Sequence, residues 1–163
     1  MGLLRTAAFV AGLGAAGQAA AHISPIPAEA PAGSYQAIRF RVGHACTGAE
    51  ATTAVRIEAP AGLPAMRAQP KAGWTVSIEQ RPGEGGEIQA VTWTGNLPPD
   101  QFDEFAVFLK LPDVVGEIEF AAIQTCGATE TRWDQPPMLG GPTPAPVFRI
   151  IPAAPVAGPQ HNH

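Results

Sequence analysis

Short runs of alternating apolar and polar residues recur along the chain. In 35–42, Ile38, Phe40 and Val42 fall on one face and Arg39 and Arg41 on the other. In 54–58, Val55 and Ile57 oppose Arg56 and Glu58, and in 74–80, Trp74, Val76 and Ile78 oppose Thr75, Ser77 and Glu79. Val91 and Trp93 share a face in 88–94, as do Phe105, Val107, Leu109 and Leu111 in 102–111. Ile118, Phe120 and Ala122 do so in 117–124, and 147–151 forms a final, more apolar run. A period of two is the repeat of a strand with one face buried. The runs are separated by turn-forming stretches such as "EAPAGLP", "RPGEGGE" and "GNLPPD", drawn from 18 glycines and 18 prolines. No stretch after the first twenty residues carries a helical stripe. These features predict an all-β chain, an antiparallel two-layer β-sandwich of immunoglobulin-like or cupredoxin-like type. Spacing alone leaves that choice open and does not fix strand order.

The ends of the chain read differently. Residues 1–21 hold one basic residue, Arg5, then an apolar Ala- and Gly-rich stretch, then Ala19 and Ala21 at the −3 and −1 positions of a cleavage site. This is the pattern of a secretory signal peptide, with an apolar run too short to cross a bilayer. Cleavage after Ala21 would leave one domain over 22–152 and a flexible, proline-rich tail over 153–163. The expected location is periplasmic or secreted, and the processed chain is not expected to be an integral membrane protein. Without its leader the chain carries nine Lys and Arg against fourteen Asp and Glu, with no basic run. Nucleic acid is thereby a poor partner, since phosphate contacts need clustered cations.

Export changes the reading of the two cysteines, Cys46 and Cys126. A disulfide is the expectation in an oxidising compartment, and a thiolate pair on copper is the alternative. Closing a loop of about 80 residues would stabilise by roughly 4–5 kcal/mol in the chain-entropy picture.

Enzymatic chemistry finds little support. There is no G-x-S-x-G elbow, no phosphate-binding glycine loop and no zinc-finger spacing. The histidines are His22, His44, His161 and His163. After cleavage His22 would be the first residue, and its α-amine and imidazole Nδ1 could chelate one metal. Nitrogen donors in a tetragonal plane suit Cu(II), which tops the divalent affinity order. The bland alternative is a solvent-exposed histidine at the end of a removed leader. His161 and His163, in "HNH", could capture copper or zinc weakly or be a polar terminus and nothing more.

The segments "AAAHISPIPAEAPAGSY", "RFRVGHACTGAEATTAVRIEAPAGLP", "QPKAGWTV", "VTWTG", "FDEFAVFLKLP", "IQTCGATETRW" and "PAPVFRII" occur here in a diagnostic order. In them the chain resembles the YcnI-like family of secreted copper-binding proteins, over nearly all of 22–151. The resemblance implies a β-sandwich holding one Cu(II) through a single-histidine brace, the amine and imidazole of His22. It also implies a functional tryptophan late in the domain, which "TETRW" maps to Trp133. An indole is a poor donor to copper, so Trp133 is expected to pack over the metal and exclude solvent, or else to be ordinary core. Trp74 and Trp93 map to core positions. Many relatives carry a glutamate just after the first core strand, where this chain has Ala45 beside His44. The remaining ligand is then His44, a carboxylate such as Glu29 or Glu50, or water.

The function implied is copper trafficking or homeostasis without turnover, with a second periplasmic copper chaperone or a membrane copper transporter as partner. Met66 and Met138 are the only methionines outside the leader, so a thioether site for Cu(I) is not indicated. Two other readings compete. A copper-dependent monooxygenase would need a second brace histidine, for which only His44 is on offer. A metal-free structural sandwich would need nothing of His22.

Overall fold

A computed structural model describes residues 22–63, 66–83 and 87–154. The expected leader and the HNH tail lie outside these residues. The chain forms β1 (Ser24–Ile26), β2 (Glu29–Pro31), β3 (Tyr35–Val42), β4 (Thr52–Glu58), β5 (Arg67–Ala68) and β6 (Thr75–Gln80). It continues through β7 (Ile88–Leu97), β8 (Asp103–Lys110), β9 (Gly116–Glu119), β10 (Ala121–Cys126), β11 (Thr129–Trp133) and β12 (Val147–Ile151). A 3-10 turn at Pro137–Leu139 precedes the last strand.

The alternation sets which faces meet. Ile38, Phe40 and Val42 of β3 are buried between exposed Arg39 and Arg41. Val107 and Leu109 pack beside them from β8, within a four-stranded sheet of order β1-β3-β8-β5. The opposing five-stranded sheet, β11-β10-β4-β7-β6, supplies Val55, Ile57, Val91, Trp93, Ala122 and Trp133 to the same core. A smaller sheet, β2-β12-β9, adds Ile118, Phe148 and Ile150 to it. The pairing is antiparallel except between β2 and β12, which run parallel.

The sandwich agrees with the alternation except at Ile78, which stays exposed on the edge strand β6, and two further details depart from it. The run 117–124 is not one strand. It breaks at Phe120, with β9 joining the small sheet and β10 the five-stranded sheet. Ile118, Phe120 and Ala122 are nonetheless all buried, so the alternation anticipated their burial but not the change of sheet. The second departure is β1, β2, β5 and β11, which alternation did not reveal. The first three are two or three residues long, too short to show a period, and β11 offers only Thr131 and Trp133 to the inside.

Glycine permits one turn and one close approach around Trp74. Gly73 has φ +77° and turns the chain before the indole, a conformation disfavoured for residues with a Cβ. A Cβ on Gly95 would fall inside the Trp74 ring, so glycine alone lets the ring lie on β7. Trp74 then meets Phe105 edge-on, with ring centroids 4.8 Å apart.

Candidate functional site

The N-terminal segment is fastened to the sandwich. β1 pairs with the end of β3, Ser24 opposite Arg41, and Ile23 is buried in the core while His22 is exposed. A buried side chain directly after an exposed one gives His22, the first described residue, a defined exit from the sheet. Continuing the antiparallel register two residues beyond Ser24 brings His22 level with Gly43, next to His44.

Trp133 approaches from the other sheet. It ends β11 opposite Ala122 and points into the core with 6% of its surface exposed. Its ring centroid lies 5.9 Å from that of His22, the planes inclined at 59°. The indole Nε1 is buried and has no hydrogen-bond partner, the one such side-chain atom among the described residues. Leaving a buried donor unpaired costs about 1–3 kcal/mol, so this N–H calls for an acceptor, a water or a bound group, beyond the protein atoms around it.

The other candidates are placed as follows. His44 is exposed and its Nδ1 donates to the Ala45 carbonyl at 2.5 Å. In the neutral tautomer that makes this bond Nδ1 carries the hydrogen and Nε2 the lone pair. Glu29 stands exposed on β2, in the small sheet, opposite Arg149. Glu50 lines an open cleft of about 450 Å³ beside the disulfide, with Thr47, Gly48, Asn96 and Gly127. Asp134, next to Trp133 in sequence, accepts from Arg132 Nε at 3.0 Å. That bond holds the Arg132 guanidinium above its ordinary pKa and engages the carboxylate.

These side chains do not converge as a set. Among the described residues, no three or more His, Cys, Asp or Glu side chains are placed to hold one metal ion. The structure brings His22 and Trp133 together and ends β3 beside them, but it does not gather His22, His44, Glu29 and Glu50 into one cluster. The reason is topological: Glu29 belongs to a different sheet and Glu50 to the loop that ends at β4.

The cysteines are settled. Cys46 and Cys126 form a disulfide with Cα atoms 5.9 Å apart, and no described cysteine is free. The thiolate alternative is thereby excluded in this state. The bridge is buried with Ala45 in a small cluster apart from the main core.

Sequence reasoning missed Gln124 and Thr52, the buried polar side chains of the described residues. Gln124 Nε2 donates to the His44 carbonyl at 2.6 Å and to Thr52 Oγ1 at 2.7 Å. A signal existed, because period two places Gln124 on the same face as Phe120 and Ala122. A polar residue on an apolar face is a flag.

Fold and site together define an all-β sandwich with an exposed histidine against a buried tryptophan whose N–H has no partner. The family model described as "Domain of unknown function (DUF1775)" matches residues 22–150. The chain belongs to that family, the YcnI-like proteins. Copper-binding protein CutI of Bacillus subtilis (strain 168) is 28% identical over 106 residues, covering 65% of this chain. The match covers 51% of CutI, so the chain spans about half the length of that curated relative. A solved protein of Nocardia farcinica, described as having an immunoglobulin-like fold, is 29% identical with a TM-score of 0.67. That likeness covers 79% of this chain and 97% of the other. It resolves the choice between immunoglobulin-like and cupredoxin-like architecture in favour of the former.

Proposed function

We propose that the chain is exported, processed to begin at His22, and holds one Cu(II) through the α-amine and imidazole of that residue. The observation that carries this reading is the contact between His22 and Trp133. The terminus is drawn by β1 and Ile23 onto a buried indole whose N–H is still unpaired. The likeness to a protein named as copper-binding supports the choice of metal. The chemistry of the donors does the same, since two nitrogens on one residue form a chelate that suits a tetragonal Cu(II) plane. His44 Nε2 is the donor this reading adds to them, because continuing the β1–β3 register past Ser24 and Arg41 would bring His22 level with Gly43, one residue before His44.

In this reading copper is cargo and the protein carries out no turnover. Ile23 and β1 orient the amine, Trp133 excludes water from one side, and the ion is passed to or taken from a second copper chaperone or a membrane transporter. The disulfide supports an oxidising location. No helix of the described residues is long and apolar enough to cross a membrane.

The test is a Cu(II) titration followed by electron paramagnetic resonance on the chain beginning at His22, against the same chain with one residue added before it. Loss of the chelate in the extended chain is expected to weaken binding roughly 100-fold or more. Equal affinity and equal spectra in the two would remove the brace.

A further inference from the structure

Gln124 is a buried amide where an apolar residue would pack as well, and its hydrogen bonds lead toward the N-terminal site. It lies on the inner face of β10, 3% exposed, opposite Val55 of β4 and Thr131 of β11. Ala122, two residues away on the same face, is the partner of Trp133. The amide is thus one strand repeat, about 7 Å along the sheet, from the rung that carries Trp133. From there it donates to the carbonyl of His44, in the loop just past the end of β3. Its second donation goes to Thr52 Oγ1, which lies 3.7 Å from Cys126 Sγ. The segment after β3 is therefore held twice: at Cys46 by the disulfide and, two residues earlier, at the His44 carbonyl by Gln124. Continuing the β1–β3 register beyond Ser24 and Arg41 would bring His22 level with Gly43, the residue before that carbonyl.

We propose that Gln124 is a positioning residue of the N-terminal site, fixing residues 43–45 and hence the His44 imidazole relative to His22. The inference rests on the reading of His22 as the metal anchor, and it adds a residue that touches neither metal nor terminus. A buried polar group earns its place through specificity rather than stability, because an apolar residue of equal volume avoids the desolvation. What this amide specifies is where the backbone between β3 and the disulfide runs. The Thr52 bond provides the internal control, since it anchors the same amide without involving residue 44.

The experiment compares Gln124→Met with Thr52→Val in two measurements. In the metal-free protein, amide hydrogen exchange at residues 43–46 is expected to quicken about five- to tenfold in Gln124→Met, the loss of one buried hydrogen bond, and to stay near wild type in Thr52→Val. In the processed chain, Gln124→Met is expected to shift the parallel hyperfine splitting of Cu(II) and weaken binding about tenfold, as loss of an outer support of a metal site does. Thr52→Val should leave the copper spectrum unchanged although it too lowers the melting temperature. Should Gln124→Met fail to fold, Gln124→Asn withdraws the N–H by one methylene and is expected to give the same pattern. Unchanged exchange at 43–46 overturns the proposal, as do equal copper shifts in both variants, which would mean general loosening. A wild-type chain without a His22-dependent Cu(II) signal would sink the copper reading, and the exchange measurement would then decide by itself whether Gln124 fixes the segment.

Discussion

Two tryptophans of the sandwich are both buried and yet differ in kind. Trp93, on β7, is fully buried, and its Nε1 donates to the Gln69 carbonyl at 2.9 Å. Its ring packs on Phe105 with centroids 5.6 Å apart. Every part of that side chain is used by the fold. Trp133 is nearly as buried, but its N–H has no acceptor and its ring meets an exposed histidine at the end of the described chain. Folding alone rarely leaves a buried donor unpaired. The contrast separates an indole whose every group the fold uses from one whose N–H is left over, and it makes the His22 corner the place to test the proposed function.

The largest effect should come from breaking the structural member of the pair. Trp93→Phe removes ring volume from the core and strands the Gln69 carbonyl, for an expected loss of roughly 2–4 kcal/mol in urea unfolding. Copper affinity measured well below the unfolding midpoint should change little. A larger change in affinity than in stability would erase the distinction between the two indoles. Trp133→Phe is the matched change, with the opposite balance. Unfolding free energy is expected to fall by about 1 kcal/mol or less, because the lost contacts are offset by removal of an unpaired buried N–H. Cu(II) affinity of the processed chain should drop about tenfold. Equal behaviour of the two variants in both measurements would make Trp133 ordinary core.

The smallest effect concerns the carboxylates. Glu29→Gln and Glu50→Gln are exposed substitutions on different parts of the fold and should each alter stability by less than about 0.5 kcal/mol. Copper affinity should stay within about twofold of wild type, less than the loss of a ligand or its outer support would bring. A drop of tenfold or more in either would name that carboxylate as the donor completing the plane and displace His44 from the role.

Much of the frame was legible because a strand with one wet face writes its period into the chain. The boundaries of β3 and β12 coincide with the predicted runs, and those of β4, β6, β7 and β8 fall within a few residues of them. The site was legible only in part. His22 and Trp133 could be singled out, the first by its place after a leader-like segment and the second by resemblance. Gln124 and Thr52 carry no local pattern beyond being polar where apolar residues prevail. Glu29 and Glu50 looked as eligible as His44, because a sequence does not show which sheet a short strand will join.

Sequence by itself determined the class of the protein: period-two runs between Gly- and Pro-rich breaks, with two cysteines and one histidine ahead of the first strand. Periodicity is a local property, and local properties can be read in order along a chain. Tertiary structure decided that β1 and β11, near opposite ends of the domain, bring His22 to Trp133. It also decided that the run 117–124 changes sheet at Phe120, and that Gln124 donates to the loop just past the end of β3. Those contacts depend on strand order and register, which follow from how all the buried faces fit at once.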